Sequence, residues 1–222
     1  MNNWIDITRP FDDTLVTWPG RSRPEFRWEK SLAAGHHCNA SQWQISAHTG
    51  THMDAPLHFI AGGKSIDQIL TEVFIGDSQV VDLTESKSLL VDVAIARQYA
   101  GEKRLLIKTA HSTRPITCEY APHDALMTLE AASCLVEAGL LLLGTDRLSI
   151  DDSRGEGHFL HHRLLGGGCV LLEGLWLAEV TAGPYLLFAA PLRLTGTEAS
   201  PVRALLRRRH NVATHNILRG CE

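Results

Sequence analysis

The sequence lacks cysteines at the spacing of a disulfide framework or a zinc ribbon, and it lacks long apolar segments. Its five cysteines are odd in number and widely separated, and none forms a C-x-x-C pair. The longest apolar runs, such as LLLL at 140–143, are too short to span a bilayer. The opening MNNWIDITRP has neither the basic nor the apolar region of a signal peptide. We therefore expect a cytoplasmic protein without a membrane partner.

An excess of positive charge is also missing. The chain has 21 lysines and arginines against 25 aspartates and glutamates, for a net charge of −4. This balance gives no electrostatic reason to expect a nucleic-acid partner. Hydrophobic residues make up 44% of the 222 positions, which is enough to bury one sizeable core and predicts a single domain. Histidine, with 12 residues, is the unusual component, and we looked for function there.

The pattern of apolar residues predicts an α/β fold, with a strand-rich sheet and flanking helices. Strands are predicted in WIDIT, VFIGDSQVVDLT, RLLIKTA, LLLLGTD, GCVLLEGLWL and PYLLFAAPLRL. A helix is predicted in TLEAASCLVEAG, with Thr128 as N-cap and Gly139 at its end. Residues 207–222 show no clear period, and we expect them to form a loosely ordered tail.

The segment HTGTHMDAPLHF, which begins at His48, concentrates metal-binding side chains. Gly50 and Pro56 argue against a helix there. In an extended segment His48, His52 and Asp54 would project to one side, and Gly50 between them would leave room for an ion. Two neutral imidazoles and a carboxylate are an ordinary ligand set for zinc or a similar divalent metal.

A second group of candidates lies in HFLHHRLLGGGCVLLEG, which contains His158, His161, His162 and Glu173. Glu173 interrupts an apolar stretch, where an unpaired carboxylate would be costly to bury. It either faces solvent on an amphipathic strand or binds a metal together with one of the histidines. Spacing alone does not choose among the three histidines.

HTGTHMDAPLHF resembles the H-x-G-T-H-x-D-x-P-x-H signature of the metal-dependent cyclase-like hydrolase family, and most closely its bacterial kynurenine formamidase (arylformamidase) branch. Four further segments are similar to that family: IDITRPFDDTLVTWPG, LLLLGTDRLSIDD, HHRLLGGGCVLLEGL and PLRLTGTEASPVRALL. The resemblance covers Trp4 to Leu206, which predicts a cyclase-like metal hydrolase domain over residues 1–206. The tail from residue 207 has no counterpart.

The resemblance implies a swivelling β/β/α domain, a homodimer or larger homo-oligomer, and two divalent metal ions, Zn²⁺ or alternatively Mn²⁺. The implied metal ligands are His48, His52, Asp54, His161 and Glu173, and the two carboxylates among them would each reach both ions. His58 is the implied general acid/base, and Trp18 the implied wall of the substrate site. Asp146, Ser149 and Asp151 also match a family segment, and we interpret them as shaping the turn after a buried strand.

The activity implied is hydrolysis of N-formyl-L-kynurenine to L-kynurenine and formate, a step of tryptophan degradation on a small aromatic formamide. Hydroxide generated at the metal would attack the formyl carbonyl, and His58 would give a proton to the leaving nitrogen. Two alternatives remain open from the sequence. One is a related hydrolase acting on a cyclic amide such as an isatin-like lactam, and the other is a non-catalytic metal-binding protein on the same scaffold.

Overall fold

The computed structural model describes residues 4–12, 14–86, 90–113, 120 and 122–209. Strands dominate these residues. They are β1 (Trp4–Asp6), β2 (Glu25–Lys30), β3 (Ala40–Gln44), β4 (His52–Asp54), β5 (Ile75–Asp82), β6 (Arg104–Lys108), β7 (Leu142–Thr145), β8 (Val170–Glu173), β9 (Gly183–Phe188), β10 (Ala199–Pro201) and β11 (Leu205–Arg208).

The helices are short. They are α1 (Thr71–Phe74), α2 (Val93–Gln98), α3 (Leu129–Glu137) and α4 (Phe159–Gly166), with single 3-10 turns at Leu32–Ala34, Pro56–His58, Ile66–Gln68 and Ala110–Thr113. In the predicted helix, now α3, the Thr128 side chain accepts a hydrogen bond from the Ala131 amide. Gly139 follows the helix with a φ of +84°, a left-handed conformation that favours glycine. None of the helices in the described ranges is long and apolar enough to cross a membrane.

Nine of the strands form one mixed sheet in the order β1-β11-β9-β5-β6-β7-β8-β4-β10. The centre, from β5 to β8, is parallel, and the strands added on either side run antiparallel. β2 and β3 pair separately as a two-stranded arm. This mixed, strand-rich α/β architecture confirms the predicted fold class.

The sheet buries apolar side chains on both faces, and the alternation along β6 shows how. Leu105 and Ile107 pack toward the face covered by α3, in one cluster with Leu135, whereas Leu106 joins the opposite cluster with Met53. Successive side chains of a strand point to opposite faces, so each central strand contributes to both clusters. Full burial of each side chain contributes about 1.5–3 kcal/mol to the stability of the fold.

The sequence patterns predicted the presence of strands more accurately than the residues at which the strands begin and end. The strand predicted in VFIGDSQVVDLT begins later than expected, because Val73 and Phe74 end α1 and β5 begins at Ile75. The strand predicted in GCVLLEGLWL ends earlier, since β8 spans only Val170–Glu173. The helix α4 was not predicted, because its apolar residues are interrupted by two adjacent histidines.

The predicted boundary of the carboxyl-terminal tail is wrong by a few residues. Arg207 and Arg208 belong to β11, which pairs with β9 on one side, while Arg207 also pairs with Trp4 of β1 on the other. The guanidinium of Arg207 lies over the Trp4 ring at 5.1 Å. Ladder hydrogen bonds therefore continue past the point where apolar periodicity stops. Residues 210–222 lie outside the described part of the chain.

Candidate metal centre

Strand pairing between β4 and β8 builds the first half of the site. The two strands are antiparallel, and His52 lies directly opposite Glu173. His52 and Asp54 are two residues apart and share one side of β4, while Met53 between them is fully buried in the core on the other. The His52 Nε2 atom is 3.5 Å from Asp54 Oδ1 and 3.7 Å from Glu173 Oε2.

The other two predicted ligands come from outside these strands. His161 lies in α4, and its Nε2 atom is 3.5 Å from Glu173 Oε1 and 3.8 Å from Asp54 Oδ2. His48 lies in the turn before β4, and its Nδ1 atom is 3.0 Å from Asp54 Oδ1. The structure thus brings all five predicted ligand side chains around one point.

The donor spacing and the hydrogen bonding both fit a divalent metal. Zinc–ligand bonds of about 2.0–2.2 Å place two donors of one tetrahedral ion roughly 3.3–3.6 Å apart, close to the observed separations. Asp54 is 1% exposed, yet neither of its carboxylate oxygens has an aligned hydrogen-bond donor among the described residues. A buried carboxylate in that state is costly, and a cation between it and the imidazoles removes the cost.

Glu173 adds a second buried negative group. Its Oε1 atom accepts a hydrogen bond from the Ile150 amide at 2.9 Å. Burial and the neighbouring Asp54 charge nevertheless raise the pKa of Glu173 well above the usual carboxyl value. Two carboxylates that cannot easily both ionise suit a site whose partner is a multiply charged cation.

Acceptors outside the donor cluster fix the orientation of two imidazoles. His161 Nδ1 is 2.6 Å from Asp151 Oδ2, and His52 Nδ1 is 3.0 Å from the Gly50 carbonyl oxygen. Both contacts leave Nε2 directed at the carboxylates. Such outer partners are typical of metal-binding histidines. The expectation that Asp151 only shapes a turn is therefore incomplete, because it also holds His161 and accepts from the Leu160 amide at 2.9 Å.

Gly50 has a different reason to be glycine from the one expected. Only residues 52–54 are extended, and Gly50 lies in the preceding turn with a φ of +65°. A Cβ atom there would lie 3.3 Å from the Phe11 ring and 3.4 Å from Leu15. The backbone conformation and this packing require glycine, rather than room for an ion. The interpretation of residues 48–54 as one extended segment is therefore wrong.

A cavity of about 240 Å³ lies beside the donor cluster, and its wall includes the two remaining predicted site residues, His58 and Trp18. His58 stacks against His48, with ring centroids 4.1 Å apart. Burial lowers the pKa of His58 to about 4. Trp18 forms part of the cavity wall and packs edge-on against Tyr120, with ring centroids 5.3 Å apart.

The remaining histidine candidates separate by position. His158 lines the cavity, with Phe59 5.0 Å from its ring, but the described donors nearest to it are Asp151 and His161 rather than the two central carboxylates. His162 is exposed on α4, and His36 and His37 are exposed in the loop between β2 and β3.

Sequence reasoning missed one participant, Glu198. Its Oε1 atom is 3.1 Å from His48 Nε2. Glu198 lies in PLRLTGTEASPVRALL, a segment noted only for its overall similarity. The only signal available was a carboxylate immediately before a strand whose pairing partner was unknown.

Comparison with known proteins identifies the family. Residues 5–152 match the sequence profile of the family described as putative cyclase. The chain belongs to this family. It is 36% identical to kynurenine formamidase from Geobacillus thermodenitrificans over 94% of this chain and 99% of that protein.

Solved structures share the fold. One titled as a potential metal-dependent hydrolase with cyclase activity is 28% identical, covers 93% of this chain and 98% of its own, and superposes with a TM-score of 0.75. Isatin hydrolase A from Labrenzia aggregata, at 24% identity, covers 91% of this chain and 92% of its own with a TM-score of 0.74, which shows the common fold alone.

Proposed function

We propose that this protein is a metal-dependent amide hydrolase that converts N-formyl-L-kynurenine to L-kynurenine and formate. The observation that carries the proposal is the buried, unsatisfied Asp54 carboxylate among four other donor side chains, beside a cavity that contains His58 and Trp18. Similarity to kynurenine formamidases over nearly the whole chain supports the choice of substrate.

The proposed cofactor is a pair of divalent ions, Zn²⁺ in preference to Mn²⁺. His48, His52, Asp54, His161 and Glu173 would hold them, and imidazole with carboxylate suits either metal. When bound, the ions supply Lewis acidity that polarises a carbonyl and lowers the pKa of water. Asp54 and Glu173 are 1% and 3% exposed, so their carboxylates would meet the ions in a region of low dielectric constant.

His58 is the proposed proton carrier. Because burial lowers its pKa to about 4, its imidazole is neutral near pH 7 and is ready to accept a proton rather than to give one. It therefore first takes the proton of the attacking water and then passes it to the nitrogen of the departing aniline. Trp18 is positioned to stack on the aromatic ring, a contact of about 1 kcal/mol beyond area burial.

The test is an absorbance assay with N-formylkynurenine on protein of measured metal content. Wild-type protein is expected to release kynurenine, and chelation to abolish the release. His58→Ala is expected to lose turnover by about 10²–10⁴-fold while keeping its metal. His37→Ala changes an exposed histidine of the loop between β2 and β3, outside the cavity lining, and serves as the matched control.

Three results would contradict the proposal. Metal lost together with activity in His58→Ala would make His58 a ligand instead of a proton carrier. No kynurenine at any metal loading would remove the formamidase assignment, and turnover of isatin in the same assay would assign a lactam hydrolase. Stoichiometric metal without turnover of any formamide, lactam or lactone would indicate a binding protein.

We also propose that the protein forms a homodimer or larger homo-oligomer through the β2–β3 arm. Phe26, Trp28 and Trp43 on this arm are 61%, 57% and 57% exposed, a concentration of aromatic surface typical of interfaces. Trp28→Glu is expected to shift the mass measured by light scattering toward the monomer. An unchanged mass would place the interface elsewhere. The cytoplasmic location stays a prediction.

A further inference from the structure

The three histidines of the donor cluster do not present the same ring atom. His52 and His161 face the carboxylates through Nε2, since their Nδ1 atoms are held by the Gly50 carbonyl and by Asp151. His48 faces Asp54 through Nδ1, at 3.0 Å. His48 also has a different outer partner, because its Nε2 atom lies 3.1 Å from the Glu198 carboxylate.

Backbone pairing fixes the position of Glu198. Ala199, the next residue, lies opposite Asp54 in the β4–β10 ladder. The Glu198 carbonyl oxygen accepts a hydrogen bond from the Ala55 amide at 2.8 Å. Glu198 is therefore held beside the end of β4, the strand that carries His52 and Asp54, and its carboxylate lies 3.1 Å from His48 Nε2.

We propose that Glu198 is a positioning residue of the metal centre, which holds His48 Nε2 so that Nδ1 is the atom that binds metal. The inference rests on the proposed metal site. With the ring proton on Nε2 and donated to the Glu198 carboxylate, the Nδ1 lone pair is directed at the position beside Asp54. A carboxylate acceptor also makes the imidazole a more basic ligand and fixes its tautomer.

The contact between Glu198 and His48 has a competing explanation, because 40% of the Glu198 side chain is accessible to solvent. A surface carboxylate that only stabilises the turn before β4 would affect the free energy of unfolding of the metal-free protein. It would leave metal affinity and the choice of ring nitrogen unchanged. Measurements must therefore report on the metal rather than on stability or turnover.

The first experiment measures zinc affinity by competition with a chromophoric chelator. Glu198→Ala is expected to bind zinc about 10–100-fold more weakly than wild type, the usual effect of removing a partner outside the ligand shell. Glu198→Gln should fall between the two, because its amide oxygen still accepts from Nε2 without the charge. Glu179→Gln, an exposed glutamate that loses the same charge, should match wild type. Wild-type affinity in both Glu198 variants would overturn the proposal.

The second experiment observes the ring nitrogens directly in ¹⁵N-labelled, zinc-loaded wild-type protein. Long-range proton–nitrogen NMR distinguishes a metal-bound Nδ1 from a metal-bound Nε2, and His48→Gln identifies the signal by its loss. Zinc on Nδ1 of His48 and on Nε2 of His52 and His161 is expected. Zinc on Nε2 of His48 overturns the inference. Failure to hydrolyse N-formylkynurenine, with this pattern intact, would remove the formamidase assignment alone.

Discussion

Asp54 and Asp146 are buried to the same degree, each 1% exposed, but they are satisfied in opposite ways. Asp146 follows β7 and accepts three hydrogen bonds: from the Thr109 amide at 2.8 Å, from the Thr109 hydroxyl at 2.8 Å and from the Ser112 amide at 3.0 Å. Asp54 ends β4 and has no aligned donor for either oxygen among the described residues.

The two carboxylates therefore differ in hydrogen bonding and not in burial. Asp146 ties the loop after β6 to the end of β7, and burial raises its pKa although donors surround it. For Asp54, burial pushes the pKa upward, but the adjacent His52 and His48 rings outweigh it and hold the pKa below its usual range. Asp146 braces the backbone, whereas Asp54 keeps a negative charge among the imidazoles, which would attract a cation.

Replacement of Asp54 should have the largest effect. Asp54→Ala is expected to abolish stoichiometric metal binding and to reduce formamide hydrolysis by at least about 10³-fold, because a catalytic metal stabilises the transition state by several kcal/mol. In the metal-free protein Asp54→Ala removes both the cost of burying the charge and its attraction to His52 and His48, so the free energy of unfolding should change less than in Asp146→Ala. Elemental analysis, turnover and denaturant unfolding measure these quantities, with Asp77→Ala as an exposed control. A metal content equal to that of wild type would show that Asp54 is not needed for metal binding.

Replacement of Asp146 should do the reverse. Asp146→Ala leaves the amides of Thr109 and Ser112 buried without an acceptor, and the free energy of unfolding should fall by roughly 3 kcal/mol. Metal bound per folded chain should not change. Urea titration combined with elemental analysis tests both statements. A loss of metal without a loss of stability would assign Asp146 to the functional site.

Metal itself should distinguish the two variants. Zinc at 100 times its dissociation constant is expected to stabilise wild-type protein by about 2.7 kcal/mol, because it binds only the folded state. Asp146→Ala should gain the same increment from its lower starting point, whereas Asp54→Ala should gain none. Thermal unfolding with and without metal gives the three values, and an equal gain in all three proteins would mean that the metal binds elsewhere.

The smallest expected effect is in the pH dependence of the metal-free protein. Because burial raises the folded-state pKa of Asp146, its contribution to stability is fully present below the ordinary carboxyl pKa, about 3.9, and is lost as pH rises through the folded value. The destabilisation caused by Asp146→Ala should therefore be larger at pH 4 than at pH 7. Denaturant unfolding at the two pH values measures it, and the opposite order would contradict the direction of the shift.

The candidate donors could be proposed from the sequence, because imidazole and carboxylate chemistry is visible in the side chains and three of the five lie within seven residues. The choice of His161 over its neighbours came from family resemblance and agrees with its position near Asp54 and Glu173. The ligand roles of the five donors and the acid/base role of His58 remain predictions until metal binding and turnover are measured.

The outer partners could not be predicted, because tertiary pairing brings them to the site. Glu198 reaches His48 only through the β4–β10 ladder, and Asp151 reaches His161 only because α4 begins eight residues later and returns toward it. Gly50 was misjudged for a related reason. Its environment is set by Phe11 from a distant loop, which no local pattern reveals.

The pairing of His52 with Glu173 also bears on how the molecule is assembled. A slip of one residue between β4 and β8 would turn Met53 toward the cavity and His52 toward the core, so high metal affinity reports correct strand register. The two strands are separated by more than half of the chain, and such long-range pairs form late because loop closure must come first. Metal uptake during refolding should therefore mark the completion of the sheet.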